Sequence, residues 1–549
     1  MRFRGLAEAA MVVTLAIVLA CVFTYPYISN FSNAGRLDTN DGRWSIWVVS
    51  WVAHALTSDP LQLFRANIFH PHPNALAFSE GNIVEGVIAI PAWLLTKNPY
   101  TTHNSVFLFA FAQSFIATYY LVRRLTGDRR AAILAGIMFA YCPFAFVRQA
   151  HIQLLMIGFL PWCMLAWHRF LERTSLPRAS ELGAVMALTG LACAYYGIFA
   201  GGMIALATLW FGFTRGRWKD ARYWAAVAAA AVVCIGLIAP FFLPYSQMQE
   251  STGFERPLSG QYSANVAAWL NSSAWAHRWW VPYLWAPSEG LFPGILAVVL
   301  GCWGATFVRE RDGIGLRRDE AWYYIGLALF TFWVTLGPKA GLYTALYYTV
   351  PVFSFLRAPS RAGIVVTLCL VVLAAPALIA LMRRPPSRLR FGGTSAAFAI
   401  LLVLVVADLY RAPLRMREAP PLPNVYRTLA RLPRGPVIEL PYWSENVAYH
   451  RHAEYMLLST YHWQPLVNGY SDHIPQDFRD NARPLAGFPS RESFAILEKL
   501  GARYAVFHLN LIQDRAALIT RIENDYLGYL RLLEKDGDVW LYEIVSWPR

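Results

Sequence analysis

Charge is what this sequence has least of. Only 15% of its 549 residues are Asp, Glu, Lys or Arg, against 56% hydrophobic, a balance that a soluble chain of this length could not hide beneath a polar surface. Cysteine is missing from every polar stretch. Cys21, Cys142, Cys163, Cys193, Cys234, Cys302 and Cys369 all sit inside apolar runs, which excludes a disulfide framework and a thiolate metal site. No glycine-rich phosphate loop and no internal repeat occurs, so P-loop or dinucleotide binding and a repeat architecture are excluded as well. Acidic residues are outnumbered 34 to 48, for a net charge of +14. From residue 413 onward 16 basic and 16 acidic residues cancel, so the whole excess falls in short loops between apolar runs. That distribution signals membrane topology rather than a nucleic-acid groove.

What is present in quantity is aromatic: 21 Trp, 28 Tyr and 33 Phe, many flanking apolar runs where an amphipathic ring suits the headgroup level. The N-terminus carries Arg2 and Arg4 and then an apolar run from Glu8 to Ile28 with no small-x-small cleavage site, as expected of a signal anchor. Ten further spans are expected near 103–123, 130–147, 152–171, 179–196, 197–214, 221–243, 291–308, 321–336, 362–382 and 394–410, giving eleven. With a cytoplasmic N-terminus the arginines fall in alternate short loops: Arg123/Arg124/Arg129/Arg130, Arg173/Arg178, Arg215/Arg217/Lys219/Arg222, Arg309/Arg311/Arg317/Arg318 and Arg383/Arg384/Arg388/Arg390. The opposite loops, 29–102, 245–290 and 337–361, are longer and arginine-poor, as the positive-inside rule requires. Residues 82–96 are apolar but too short to span and suit a juxtamembrane helix. Gly42–Leu56 and Leu342–Thr349 read the same way.

After Pro413 a proline-rich linker (EAPPLPN) opens a region of short strands and helices. Strands are expected at Pro436–Leu440 and Tyr504–His508 and in a hairpin from Leu530 to Ile544 turning at Asp536-Gly537. Helices are expected at Asn424–Leu432, Arg491–Leu500 and Asp514–Tyr526. The fold class is therefore an all-α polytopic membrane domain, residues 1–412, followed by a small α/β domain, residues 413–549, on the extracytoplasmic side of a bacterial inner membrane.

Chemistry-bearing residues gather in the outer loops. The first contains LDTNDGRWSIWVVSW. Asp38 or Asp41, partly buried among Trp44, Trp47 and Trp51, would have raised proton affinity and suit a general base. Asp41 equally suits the cap of a helix beginning at Gly42. Arg148 and His151 lie in the next outer turn, where they could meet a phosphate or a hydroxyl, or anchor helix ends at the headgroups. Arg357 and Arg361, in RAPSR just before a span, would stand at the depth of a lipid phosphate, donor or ordinary headgroup. Glu80 and Glu85 flank the juxtamembrane run and could contact substrate, and Glu250, Glu255 and Glu289 share that side. His70 and His72 surround a proline without a complementary ligand set, so a metal site is not expected there. His452, His462, Asp472 and His473 form a polar cluster in sequence. No cofactor is required; a divalent cation is left open.

One span, a long outer loop opening on acidic residues, the His-Pro segment NIFHPHPNALAFSEGN, interfacial helices and many further spans together resemble the GT-C superfamily of membrane glycosyltransferases, which includes aminoarabinose transferases and protein O-mannosyltransferases. More closely, FRANIFHP, AHIQLL with its following Pro-Trp, LRAPSRAG and STYHWQPLVNGYS are similar to a group of bacterial membrane proteins. The superfamily resemblance implies a polyprenyl-phosphate sugar donor, an active site at the outer face, inversion at the anomeric carbon, and Asp41 or Asp38 as base. With such a donor, the position and charge of Arg357, Arg361 and Arg148 make them the expected donor-phosphate ligands, and His151, Glu80 and Glu85 the expected substrate contacts. The acceptor would be an envelope glycan, lipid or protein. Members of that superfamily often have an acidic residue in the second outer turn; here that turn has none, which weakens a metal-assisted mechanism. Two other classes compete: a lipid or polymer transporter, which would show midplane ionisable groups or repeated halves, and a non-catalytic envelope assembly protein.

Overall fold

The computed structural model describes residues 2–253, 256–287, 289–309, 315–383 and 393–549. Arg311, Arg384, Arg388, Arg390 and Glu255 lie outside them. Two compact units are interleaved along the chain: a helical unit of residues 1–29, 106–241 and 255–414, and a mixed unit of residues 30–105, 242–254 and 415–549.

Among the described residues, seven helices are long and apolar enough to cross a membrane: Gly5–Phe23, Pro99–Thr126, Arg129–Val147, Ile152–Glu172, Ala194–Thr214, Ala221–Thr252 and Pro359–Arg383. This is a multi-pass membrane protein. The seven match seven of the eleven expected spans. The other four correspond to helices Leu176–Ala192, Ile295–Gly304, Arg318–Thr335 and Gly393–Leu409. Three of these run 10 to 17 residues, and Arg318–Thr335 opens on Arg318, Asp319 and Glu320.

The helical unit is organised around Gly363–Arg383, which is buried on nearly every side. Ile295–Gly304, Arg318–Thr335, Arg129–Ala140 and Gly393–Leu409 pack on it. Close approach explains the small residues of Ile295–Gly304: a Cβ on Gly304 would stand 1.9 Å from the Leu373 carbonyl oxygen, and one on Gly301 2.8 Å from that of Leu370. In lipid, where apolar surface alone does not drive helices together, such backbone proximity is the main source of packing energy. Ion pairs tie the loop arginines down: Glu8 takes Arg129 at 2.5 Å and Arg123 at 3.2 Å, and Arg215 bridges Asp319 at 2.6 Å and Glu320 at 3.2 Å.

The mixed unit holds a four-stranded sheet in the order Val437–Leu440, Tyr504–His508, Val539–Ile544, Leu530–Asp536, with the first pair parallel and the rest antiparallel. The expected strands and hairpin are all present. Helices Asn424–Leu429, Arg491–Lys499 and Arg515–Asp525 form where expected, while Ala453–Ser459 and Gln476–Ala486 were not anticipated. The first outer loop supplies Asn40–Ser58 and Ile83–Thr96, which pack together, and Ala453–Ser459 lies on the former. Between those two helices the chain passes through short 3-10 turns and bends beside the tail. Leu466 N–H donates to Asn67 O (2.9 Å), His70 N–H to Leu466 O (2.8 Å) and Phe69 N–H to Asn468 O (3.1 Å). FRANIFHP and STYHWQPLVNGYS, far apart in sequence, are thus bonded main chain to main chain. Buried Asn67 fixes the join: it accepts from Trp47 Nε1 at 3.1 Å and donates to Ser459 Oγ at 3.0 Å and Gln464 O at 3.2 Å.

Candidate functional site

In the mixed unit, Asp38 and Asp41 fall on either side of a helix start. The cap of Asn40–Ser58 is Thr39, whose side chain accepts from Gly42 N–H at 3.1 Å. The expectation that Asp41 caps this helix is therefore corrected: the helix begins two residues earlier than expected, and Asp41 sits half-buried inside its first turn. Gly42 is required there, since a Cβ would lie 2.0 Å from the Arg36 carbonyl oxygen. Asp38 is gripped by Arg36 through two hydrogen bonds, Nε to Oδ1 at 2.8 Å and the second guanidinium nitrogen to Oδ2 at 3.2 Å. Partial burial pushes the Asp38 carboxyl up, but the Arg36 hydrogen bonds and charge hold it below the usual carboxylate value. A base so stabilised as the anion is a poor proton acceptor. Trp47 and Trp51 face inward, their indoles hydrogen-bonded to Asn67 and to Leu63 O; helical periodicity leaves Trp44 on the Asp41 side.

Glu80 and Glu85 differ sharply. Glu80 is half-buried, whereas Glu85, in the first turn of Ile83–Thr96, is fully buried with no hydrogen-bond partner on either carboxylate oxygen. Burial drives its carboxyl well above the ordinary value, opposed by its own backbone N–H and reinforced by the charge of Glu80. Glu85 thus holds its proton more tightly than an ordinary carboxyl, and in its protonated form it can donate a hydrogen bond. A single carboxylate inside the apolar run IVEGVIAIP was the signal for it.

In the helical unit, the Leu356–Arg361 segment is held by three tyrosines. Tyr343 O–H donates to Leu356 O at 2.5 Å, Arg357 N–H donates to Tyr195 Oη at 3.2 Å, and Ser360 N–H donates to Tyr262 O at 3.2 Å. The Arg361 guanidinium lies 4.3 Å from the centre of the Tyr195 ring, a cation–π contact, and its buried Nε has no hydrogen-bond partner, nor has the Ser360 hydroxyl. Arg357 is exposed, 5.7 Å from the Tyr262 ring. Arg148 forms an ion pair with Glu289 while its Nε stays unmatched. His151 is half-buried at the turn that follows Arg148. The tyrosine cradle had no sequence signature beyond the abundance of Tyr. Among the described residues, no group of three or more His, Cys, Asp or Glu side chains could hold a metal ion.

The tail histidines separate. His452 is buried between Trp443 O (3.1 Å) and Asn468 (3.1 Å), and His462 accepts from Gln464 N–H at 3.0 Å; both are built into the core. His70 contacts Leu500 O at 3.2 Å. His473 lines a cleft together with His72 of the first loop.

A family model described as a domain of unknown function (DUF6311) matches residues 12–410, more than half of the chain. This chain is a DUF6311 protein. The DUF6311 chain shares its fold with a solved arabinofuranosyltransferase. It superposes on arabinofuranosyltransferase AftD from Mycobacteria with a TM-score of 0.62 at 16% identity, over 98% of its own residues and 40% of that chain. It therefore spans well under half the length of that protein. The oligosaccharyltransferase AglB from Archaeoglobus fulgidus, solved with an inhibitory peptide and a dolichol-phosphate, gives a TM-score of 0.42 at 13% identity, covering 98% of this chain and 74% of that one. ArnT from Cupriavidus metallidurans gives 0.41 at 13%, covering all of both chains. Only the first likeness is strong enough to carry the fold. No curated protein matches the DUF6311 chain.

Proposed function

We propose that this protein is an inverting membrane glycosyltransferase that moves a sugar from a polyprenyl-phosphate donor to an envelope acceptor at the extracytoplasmic face. The observation that carries the reading is the Leu356–Arg361 cradle, where a guanidinium is fixed on a tyrosine ring with an unused, buried donor. Leaving a buried N–H unmatched costs about 1–3 kcal/mol, which an incoming anion would recover. The shared fold supports the same class.

In this reading Asp41 takes the proton of an acceptor hydroxyl. The acceptor oxygen bonds to the anomeric carbon as the bond from that carbon to the donor phosphate breaks, and polyprenyl phosphate leaves with the electron pair. Arg361, Arg357 and Arg148 meet the charge that builds on the phosphate, which is commonly the largest catalytic term. His151, Glu80 and Glu85 contact sugar or acceptor hydroxyls. Asp41 is preferred to Asp38, whose anion is already stabilised by Arg36. The N-terminus is cytoplasmic, the membrane part comprises eleven spans within residues 1–412, and residues 413–549 stand outside.

The test is transfer by the purified protein, reconstituted with polyprenyl-phosphate sugars. Asp41→Asn should lower kcat by about 100-fold or more, and Arg361→Gln should lower kcat/KM at least as much. Equal turnover in Asp41→Asn removes that residue as base, and substrate movement across the bilayer without a covalent product makes the protein a transporter.

A further inference from the structure

Within the mixed unit, three stretches of chain meet around a cleft of about 600 Å³. They are the His-Pro segment of the first loop, the last turns of Ala221–Thr252, and the tail run that opens Gln476–Ala486. Its floor is apolar: Phe78, Met248 and Ile474 are each less than a tenth exposed. Its rim is polar and planar, with His72, Asn74, His473, Gln476, Asp477 and Arg479.

The rim is held in place before any ligand arrives. His72 Nε2 meets both oxygens of Asp477, at 3.0 and 3.1 Å, and Gln476 donates to Asp480 at 2.8 Å. His473 N–H donates to Phe78 O at 2.9 Å, which fixes the tail segment over the floor. Asn74 reaches Gln247 at 3.4 Å. Asn74, Gln476 and Asp477 keep further donors or acceptors, because an amide or a carboxylate has more sites than these contacts use.

A pocket of this size with an apolar base and a ring of orienting polar groups is built for a small amphipathic ligand. A sugar ring has that character: C–H faces that lie on Phe78 and Ile474, and hydroxyl pairs that match the paired atoms of amide, carboxylate and guanidinium. The His72–Asp477 hydrogen bonds hold two polar side chains at the rim, where they and the neighbouring amides can pair with hydroxyls.

We propose that this cleft is a saccharide-binding subsite that seats the glycan chain of the acceptor. Its assignment to the acceptor rests on the transferase reading; saccharide binding itself does not.

The experiment measures binding in the absence of any donor. The full-length protein in nanodiscs is titrated with arabinan, mannan, glucan and galacturonan tetrasaccharides by calorimetry and saturation-transfer NMR. At least one should bind, and the Gln476→Ala/Arg479→Ala double variant should weaken it tenfold or more with an unchanged melting temperature, since both side chains are exposed. Asp477→Ala, which frees His72, should weaken the same probe. Binding of none of the four, or binding that both variants leave intact, overturns the subsite. Binding without any transfer activity keeps the cleft and removes the acceptor role; transfer without binding removes the cleft and keeps the enzyme.

Discussion

Two buried histidines give the mixed unit a pH response that can be worked out residue by residue. Burial lowers His452 to about 4 and His462 to about 3, from an ordinary 6.5. Both are therefore neutral in the folded state, while the unfolded chain protonates them below 6.5. The unfolded state binds more protons in that window, so stability is full above pH 6.5 and falls as pH drops from there toward 4, by up to about 1.4 kcal/mol per pH unit for each histidine. Thermal melts of the purified protein should show this slope, and His462→Gln should reduce it; a melting temperature flat between pH 6.5 and 4.5 would refute the assignment. In sequence these histidines looked like part of a polar cluster with Asp472 and His473. Nothing in their spacing revealed that His452 and His462 turn into the core while His473 faces a cleft, because that depends on contacts with Asn468 and Trp443 made in three dimensions. Glu85 was easier to see, since a lone carboxylate in an apolar run must be either functional or expensive.

At the level of elements, periodicity and punctuation carried far. Strand Tyr504–His508, the hairpin turning at Asp536-Gly537 and helix Leu342–Thr349 appear at the residues that their pattern indicates. Where the reading faltered was in short helices whose faces are decided by neighbours, as in Ala453–Ser459, and in the cap of Asn40–Ser58, where Thr39 outcompetes Asp41. Either residue type can cap, and only the close contact of Gly42 with the Arg36 carbonyl decides the start. The packing of Ile295–Gly304 on Gly363–Arg383 is a sharper case. Gly304→Val would press side-chain atoms into the Leu373 backbone, and we expect a loss of about 1–3 kcal/mol, read as a lower melting temperature in detergent. A variant as stable as the parent would mean that the two helices can separate without cost.

For the whole molecule, the sequence suggested a linear order of membrane part and tail, whereas the compact units are interleaved, with residues 30–105 and 242–254 joining 415–549. Composition cannot show this, because the bonds from Asn67 to His70 with the tail are main-chain bonds and leave no mark on residue type. A fragment of residues 415–549 expressed alone would lack the partners of Leu466 and Ser459. It should show no cooperative thermal transition, and co-expression with residues 30–105 should restore one. A sharp unfolding transition in the isolated fragment would show that the tail folds by itself.

The same interleaving sets a schedule for biogenesis. Asn67 and its carbonyl partner Gln464 are 397 positions apart, so at ~5–20 residues per second the ribosome needs roughly 20–80 s to deliver the second after the first. Throughout that interval Asn67 lacks the Ser459 hydroxyl and the Gln464 carbonyl that it meets in the folded chain. Closure of the mixed unit therefore waits for residue 464, however early the loop around Asn67 is made.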